Sequence, residues 1–550
     1  MDNSAISSGY QPLFDGMVAL PSLEELHIED LEYTSDIWGN HYFSDNESSF
    51  CKLKNLEVSK CEKLEIVIPL ALLHRLRNLE FLGVYSCNSL TSEVGTFGTS
   101  TVVRPLLALS EMVLEDLPCL KKIGLNSRDH YGSLTLYPNL KKLSISDCDS
   151  LRHVFPSSIA RDLMHLEKLE VFSCKMMTEI IGEGEQEITE QDVSNVIVFP
   201  ELTELRLTGL PNLTSFWCYQ NGEVKTYKLE FPSMVDIELR GGEINLEAIE
   251  LGRDDSNCQL MSVDIICEKE IHLPSKWQLQ FYNLERLTLR QYCWWHDLKA
   301  LCFRRLKVLR VIESRCTTLF SFSVFISLQQ LQEIEISNCG LLEEIVEDVR
   351  GDEASTTDKK TVTLFQLQSV ILIGLPNLKS FIHSTNYECH MPALKEVKVK
   401  NCGLFTLFTY SVFRNLQQLE KLEVSNCRLL EGIVEDIRGD DISDTTDNII
   451  TLFRLSSVVL RDLPNLKSFS PSTRYAFNMP KLYIFRLIGC PRVENFTSLK
   501  TTTGSVYGYN GEKFPDLNDY IRQYRKRGSS LSDSVGESSY SNQGMEILGM

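Results

Sequence analysis

Seventeen cysteines and ten histidines give this chain many side chains able to ligate a metal or act as nucleophile and base. Their spacing decides whether they do. A structural zinc site needs close Cys/His pairs, and no Cys-x-x-Cys occurs in the sequence. The histidines are scattered, and none stands with a serine, cysteine or carboxylate in a nucleophile arrangement. No Gly-x-x-x-x-Gly-Lys-Ser/Thr loop is present to cradle phosphates or coordinate magnesium. The run Tyr292-Cys293-Trp294-Trp295-His296-Asp297 is the most unusual local sequence, and we read it as aromatic residues filling a bend. The chain therefore reads as a non-enzyme with no catalytic, metal-binding or cofactor-binding residues and no nucleotide of its own.

The cysteines follow another rule. Cys61, Cys87, Cys148, Cys174, Cys339, Cys402, Cys427 and Cys490 each close a motif of the form Leu-x-x-Leu-x-Leu-x-x-Cys. Leu53, Leu56, Val58 and Cys61 spell one copy, and Leu419, Leu422, Val424 and Cys427 another. A thiol in that position is a small hydrophobe whose weak donor can turn to a backbone carbonyl. These cysteines are expected to be buried, reduced and structural.

What positions them is an array of short units. Their first residues fall at 23, 53, 79, 109, 140, 166, 202, 234, 260, 284, 306, 331, 367, 394, 419, 455 and 482, spaced 22 to 36 apart. The units at 234 and 260 are degenerate, so fifteen to seventeen are expected. Residues 323–410 recur as 411–498 without insertion or deletion: Leu331 answers Leu419, Cys339 answers Cys427 and Pro376 answers Pro464. Fixed-period self-similarity marks a solenoid. In each unit the alternation of period 2 describes a half-buried strand. No unit buries its aliphatic row alone, so the strands must stack as one parallel sheet. Phe199-Pro200, Phe231-Pro232, Met391-Pro392 and Met479-Pro480 precede strands, where proline pre-sets an extended approach. The fold class that results is an α/β-type repeat solenoid, a curved leucine-rich repeat horseshoe. Its short parallel strands lie on the concave face and its convex crossings are mostly irregular, with little regular helix.

Segments 1–22 read as a partial approach segment, 23–498 as the solenoid, 499–527 as a capping segment and 528–550 as a disordered tail. Because residues 12–26 resemble the approach to an interior strand, the array is expected to start without a polar cap. In residues 515–528, Asp516 and Asp519 fall early and Arg522, Arg525, Lys526 and Arg527 late, the order that suits a helix dipole. Ile521 and Tyr524 are placed to cover the last unit. The Ser/Gly-rich stretch from Gly528 carries little to bury.

At 550 residues the net charge is −20, which argues against a phosphate-tracking surface, since that rests on clustered Lys and Arg. Much of the acidity falls in 182–192, 347–358 and 435–447, read as solvated convex loops. The Arg-Gly-Asp triplets at 350–352 and 438–440 and the Asn-x-Ser/Thr sequons at Asn46, Asn212 and Asn495 are read as coincidental. The start lacks a basic and an apolar region of the secretory type, and no apolar run of about 18 residues occurs. With many unpaired cysteines as well, the expected compartment is the cytoplasm, without membrane or nucleic-acid partners.

The phrases LPNLKSF at 375–381 and 463–469, LPNLTSF at 210–216, the Cys-x-x-Leu ladder and Asp516-Leu517-Asn518 with Ile521 and Tyr524 occur together. In that combination the chain resembles the leucine-rich repeat region of plant intracellular disease-resistance proteins of the coiled-coil, nucleotide-binding type, over about residues 10–525. The nucleotide-binding module of that family is not matched. The resemblance implies a protein partner, either a pathogen effector or a host protein, and a role in defence. A repeat adaptor of the ubiquitin-ligase kind is the alternative, disfavoured because no F-box-like helical segment precedes the repeats.

Function must then lie on the surface. The residue between the two aliphatics of each strand points to the concave face and varies freely, while its neighbours stay aliphatic. That is the pattern of a recognition surface on a rigid scaffold. The candidate partner-binding residues are Arg206, Arg310, Glu335, Glu396, Lys398, Lys400, Lys421, Glu423, Arg461 and Arg486. The two 88-residue copies diverge outward at constant core: Glu333 becomes Lys421, and Glu396 and Lys398 become Ile484 and Arg486. This points to the C-terminal concave stretch as the discriminating part.

Overall fold

In a computed structural model, each of the seventeen motifs begins a strand two residues after its first position. The structure describes residues 12–14, 20–38, 49–95, 104–124, 136–182, 196–217, 228–241, 249–250, 260–266, 283–290, 303–347, 360–381, 387–435, 449–470, 476–497, 501–507, 513–519, 521–522 and 545–548. The acidic loops, the Tyr292–Asp297 cluster, Asn46 and Tyr524 lie outside them.

The chain divides into two compact units, Met1–Gln280 and Phe281–Met550. The first unit holds nine of the strands: β1 (Glu25–Glu29), β2 (Asn55–Ser59), β3 (Phe81–Tyr85), β4 (Glu111–Glu115), β5 (Lys142–Ser146), β6 (Lys168–Phe172), β7 (Glu204–Thr208), β8 (Asp236–Arg240) and β9 (Ser262–Ile266). Each pairs in parallel with the next, in register. The second unit holds β10 (Arg286–Arg290), β11 (Val308–Ile312), β12 (Glu333–Ser337), β13 (Ser369–Leu375), β14 (Glu396–Cys402), β15 (Lys421–Ser425), β16 (Ser457–Arg461) and β17 (Ile484–Ile488), again all parallel. The degenerate units at 234 and 260 are thus strands like the others. Their second and fourth residues, Ile237 and Leu239, then Val263 and Ile265, are buried, and that burial is what the pattern needs.

Three devices turn the chain out of each strand. The residue after the fifth strand position is left-handed, as at Asp30 (φ 62°), Asp147 (φ 54°), Asn338 (φ 56°), Asn426 (φ 56°) and Asp462 (φ 53°). Short polar side chains tolerate that conformation because they can hydrogen-bond locally. The next residue is the ladder cysteine, whose thiol donates to the carbonyl two residues back, at 3.4 Å for Cys61, Cys339 and Cys427. All eight ladder thiols are free and seven are fully buried, as the spacing implies. Lastly, the asparagine of the Leu-Pro-Asn phrase donates across the turn to the preceding rung. Asn212 reaches Lys175 O, Asn377 reaches Gly340 O and Asn465 reaches Arg428 O, each at 2.7 Å.

The crossings are mostly irregular, as expected, but many also carry short parallel ladders of their own. Phe155–Pro156, Glu179–Gly182 and Ser215–Trp217 form one; Val196–Val198, Lys228–Glu230 and Ile249–Glu250 form another. In the second unit Thr318–Phe320 pairs with Glu344–Val346, Lys360–Thr363 with Tyr387–His390, and Thr406–Phe408 with Gly432–Val434. Runs of two to four residues are too short for a period to show, and stacking at the rung spacing completes them. Helix among the described residues is confined to short pieces, among them α1 (Ser157–Ala160), α2 (Phe322–Ser327) and α3 (Tyr410–Phe413). Regular helix is therefore scarce in both units among the described residues, as expected, and short strands take part of the crossings.

At the N-terminal end, Phe14 stacks on Trp38 (5.5 Å) and meets Phe50 edge-on (5.4 Å), while Trp38 Nε1 donates to Val67 O at 2.6 Å. At the other end, residues 517–519 and 521–522 are helical and Leu517 and Ile521 are fully buried. Asn518 Oδ1 accepts from the backbone N–H of Phe496 (2.6 Å) and Thr497 (3.1 Å). Asp516 belongs to the preceding strand Lys513–Asp516, not to the helix. Within the segment read as a disordered tail, Met545–Leu548 is a strand antiparallel to β17.

Candidate partner-binding face

In the rungs after the first the second and fourth residues enter the core, leaving most of the first, third and fifth on the other face of the sheet. Parallel in-register pairing sets these residues in three continuous rows at the spacing of neighbouring strands, about 4.8 Å. All ten sequence-derived candidates stand in these rows. Nine of them belong to the second unit and Arg206 to the first.

The rows of the two units differ in sign. Over β1–β9 they hold ten carboxylates and four cations, a net of −6. Every one of these cations is within 4.0 Å of a carboxylate. Lys142 meets Glu111 (3.7 Å) and Lys168 meets Glu170 (3.1 Å) and Glu204 (3.4 Å). Arg240 meets Glu238 (3.0 Å) and Asp264 (2.6 Å). Arg206 lies among Glu170 (3.1 Å), Glu204, Asp236 and Glu238 (3.7 Å each). Burial works against its charge, and the four carboxylates more than offset this and raise its pKa. As a partner contact Arg206 is already spoken for within the fold.

Over β10–β17 the rows hold eight cations and four carboxylates, a net of +4. Arg310 is paired with Glu335 (3.4 Å) and Lys398 with Glu423 (3.5 Å). Lys400, Lys421 and Arg461 are exposed, and among the described residues none of the three has an ion-pair partner within 4.0 Å. Half-buried aliphatics stand between them: Ile371 and Ile373 on β13, Val459 on β16, Ile484 and Ile488 on β17.

Sequence reasoning missed the rims. In the turn before β13 Phe365 is 62% exposed, and its counterpart 88 residues on, Phe453 before β16, is 59% exposed. In the turns after β12 and β15, Leu341 (55%) and Leu429 (44%) form a second such pair. The duplication itself was the available signal, because both copies keep an apolar residue at a position no core requires.

The family model for the leucine-rich repeats of plant disease resistance proteins of the RPS2-like kind matches residues 22–175, 275–428 and 416–504, more than half of the chain. A search of curated proteins returned no match. Among solved structures, a leucine-rich repeat protein of Leptospira interrogans is 16% identical over 74% of this chain and 84% of its own, with a TM-score of 0.37. The functional domain of InlJ from Listeria monocytogenes, which includes a cysteine ladder, is 14% identical over 81% and 86%, at a TM-score of 0.30. The Drosophila Toll–Spatzle complex gives 14% identity over 82% of this chain and 55% of that one, at 0.33. By the extent of its match to the family model, the chain belongs to the RPS2-like leucine-rich repeat family of plant disease resistance proteins.

Proposed function

We propose that this chain binds a protein partner through the exposed face of its parallel strands and serves plant defence, the partner being a pathogen effector or a host protein. Family membership supports the role. The observation that carries the binding reading is the contrast within each rung: a buried apolar pair beneath rows whose residues change type, charge and size from strand to strand. A rigid scaffold with a variable face recognises shapes and charges without chemistry. The reading is one of binding, not catalysis, in the cytoplasm, a compartment supported by the many free thiols.

A photo-reactive residue placed at Glu335, Lys398 or Glu423, and separately at the crossing residues Ser323 and Ser411, tests it in extracts of challenged plant tissue. The three face positions should cross-link the same identified protein and the crossing positions should not. Equal capture from the crossings would end the reading.

A further inference from the structure

We propose that the face over β13–β17 takes an acidic protein segment that also carries apolar side chains; this rests on the reading above that the face binds protein. Charge is the first ground. The chain as a whole carries −20, yet the rows over these five strands hold five cations, Lys398, Lys400, Lys421, Arg461 and Arg486, against two carboxylates, Glu396 and Glu423. A local reversal of sign on an acidic molecule steers an acidic partner to that place and repels it from the face of the first unit.

The second ground is availability. In the first unit an incoming carboxylate would have to displace one that Arg206, Lys168 or Arg240 already holds, and exchange of one ion pair for another gives little net gain. Lys400, Lys421 and Arg461 have no ion-pair partner among the described residues, so an incoming carboxylate meets uncommitted charge.

The third ground separates a protein segment from other polyanions. Ile371, Ile373, Val459, Ile484 and Ile488 sit half-buried among the cations, and Phe365 and Phe453 are exposed in the turns that lead into β13 and β16. Aliphatic side chains between lysines reward apolar groups spaced between carboxylates. A nucleic-acid strand would ask instead for aromatic platforms within the cationic track.

The test uses the full chain and fluorescein-labelled synthetic peptides in which glutamates and leucines alternate in pairs, read by anisotropy at low and high salt. Controls replace every Glu by Lys, or every Leu by Ser, and a uridylate oligomer of equal length serves as a phosphate probe. The Glu/Leu peptide should bind and the Lys peptide should not. The K400E/K421E/R461E variant should weaken binding by about tenfold or more, F365S/F453S by a smaller factor, and K52E/K121E, on exposed residues of the first unit, not at all. Thermal melts of the variants confirm folding. Unchanged binding by the triple variant overturns the proposal, as does equal binding of the Lys peptide. Oligouridylate binding as tightly as the peptide, with no effect of F365S/F453S, would make the face a phosphate surface instead. Should the peptides fail while the face positions still cross-link an identified protein, the acidic partner falls and the protein-binding reading stands.

Discussion

At the scale of single residues, the ladder and the turns around it leave little room. A Cβ built at Gly403 would overlap the carbonyl oxygen of Pro376, whereas one built at Gly340 meets nothing within 4 Å. Backbone cannot yield as a flexible side chain does, so G403A is expected to cost about 2 kcal/mol. G340A should stay within about 0.5 kcal/mol, and urea midpoints of the two variants measure the contrast. Cys427 is fully buried with its thiol on the Ser425 carbonyl. C427D would bury an unpaired charge and is expected to cost about 3 kcal/mol. Native-state thiol labelling should modify exposed Cys119 fast and reach Cys339 and Cys427 only after denaturation. Fast labelling of those two would disprove the ladder geometry.

The elements depend on their neighbours. A strand of five residues has no stability by itself, and each rung here is closed by bonds that arrive from the next one along. The C-terminal rung shows how such a stack can end. Asn518 is 2% exposed and its Oδ1 accepts from two backbone N–H groups, those of Phe496 and Thr497. N518A would strand both amides away from water and is expected to destabilise by about 2–3 kcal/mol. Hydrogen exchange at Phe496 and Thr497 should accelerate before exchange in β12 changes. By contrast N465A removes one bond at an exposed site, from Asn465 to the Arg428 carbonyl, and should cost about 1 kcal/mol. The Leu-Pro-Asn phrase is thus in part a structural one: its asparagine ties one turn to the last.

For the whole molecule, the buried thiols link stability to pH. Burial raises the pKa of Cys389, and it pushes Cys490 up to about 11. An unfolded chain ionises cysteine near pH 8.5. The stabilisation is therefore complete below about pH 8.5 and is lost as pH rises from there toward the folded values. Each such thiol removes up to about 1.4 kcal/mol of stability per pH unit in that window. Urea titrations at a series of alkaline pH values should show a falling midpoint, and C389A should flatten the fall. A midpoint that holds steady above that pH would contradict the burial. Over the same molecule the two faces differ in sign, and that property belongs to rows of residues contributed by many rungs.

The sequence by itself determined the rungs. Leu53, Leu56 and Val58 alternate because one side of the strand must be apolar, and the same demand recurs at every unit, so even the degenerate starts at Met234 and Leu260 give strands where the spacing places them. It determined the ladder thiols too, since a cysteine fixed three residues beyond the second aliphatic is buried in seven of its eight occurrences. The crossing strands were hidden, because runs such as Thr318–Phe320 gain their partners only from the adjacent rung. So was the state of each charge. Nothing local to Arg206 tells that Glu170 and Glu238, 36 residues before and 32 after, close on it, nor that Lys400 and Arg461 have no ion-pair partner among the described residues. Burial of a strand is a local requirement that a period can record. Pairing across strands depends on which rung stacks beside which, and only the tertiary structure decides that.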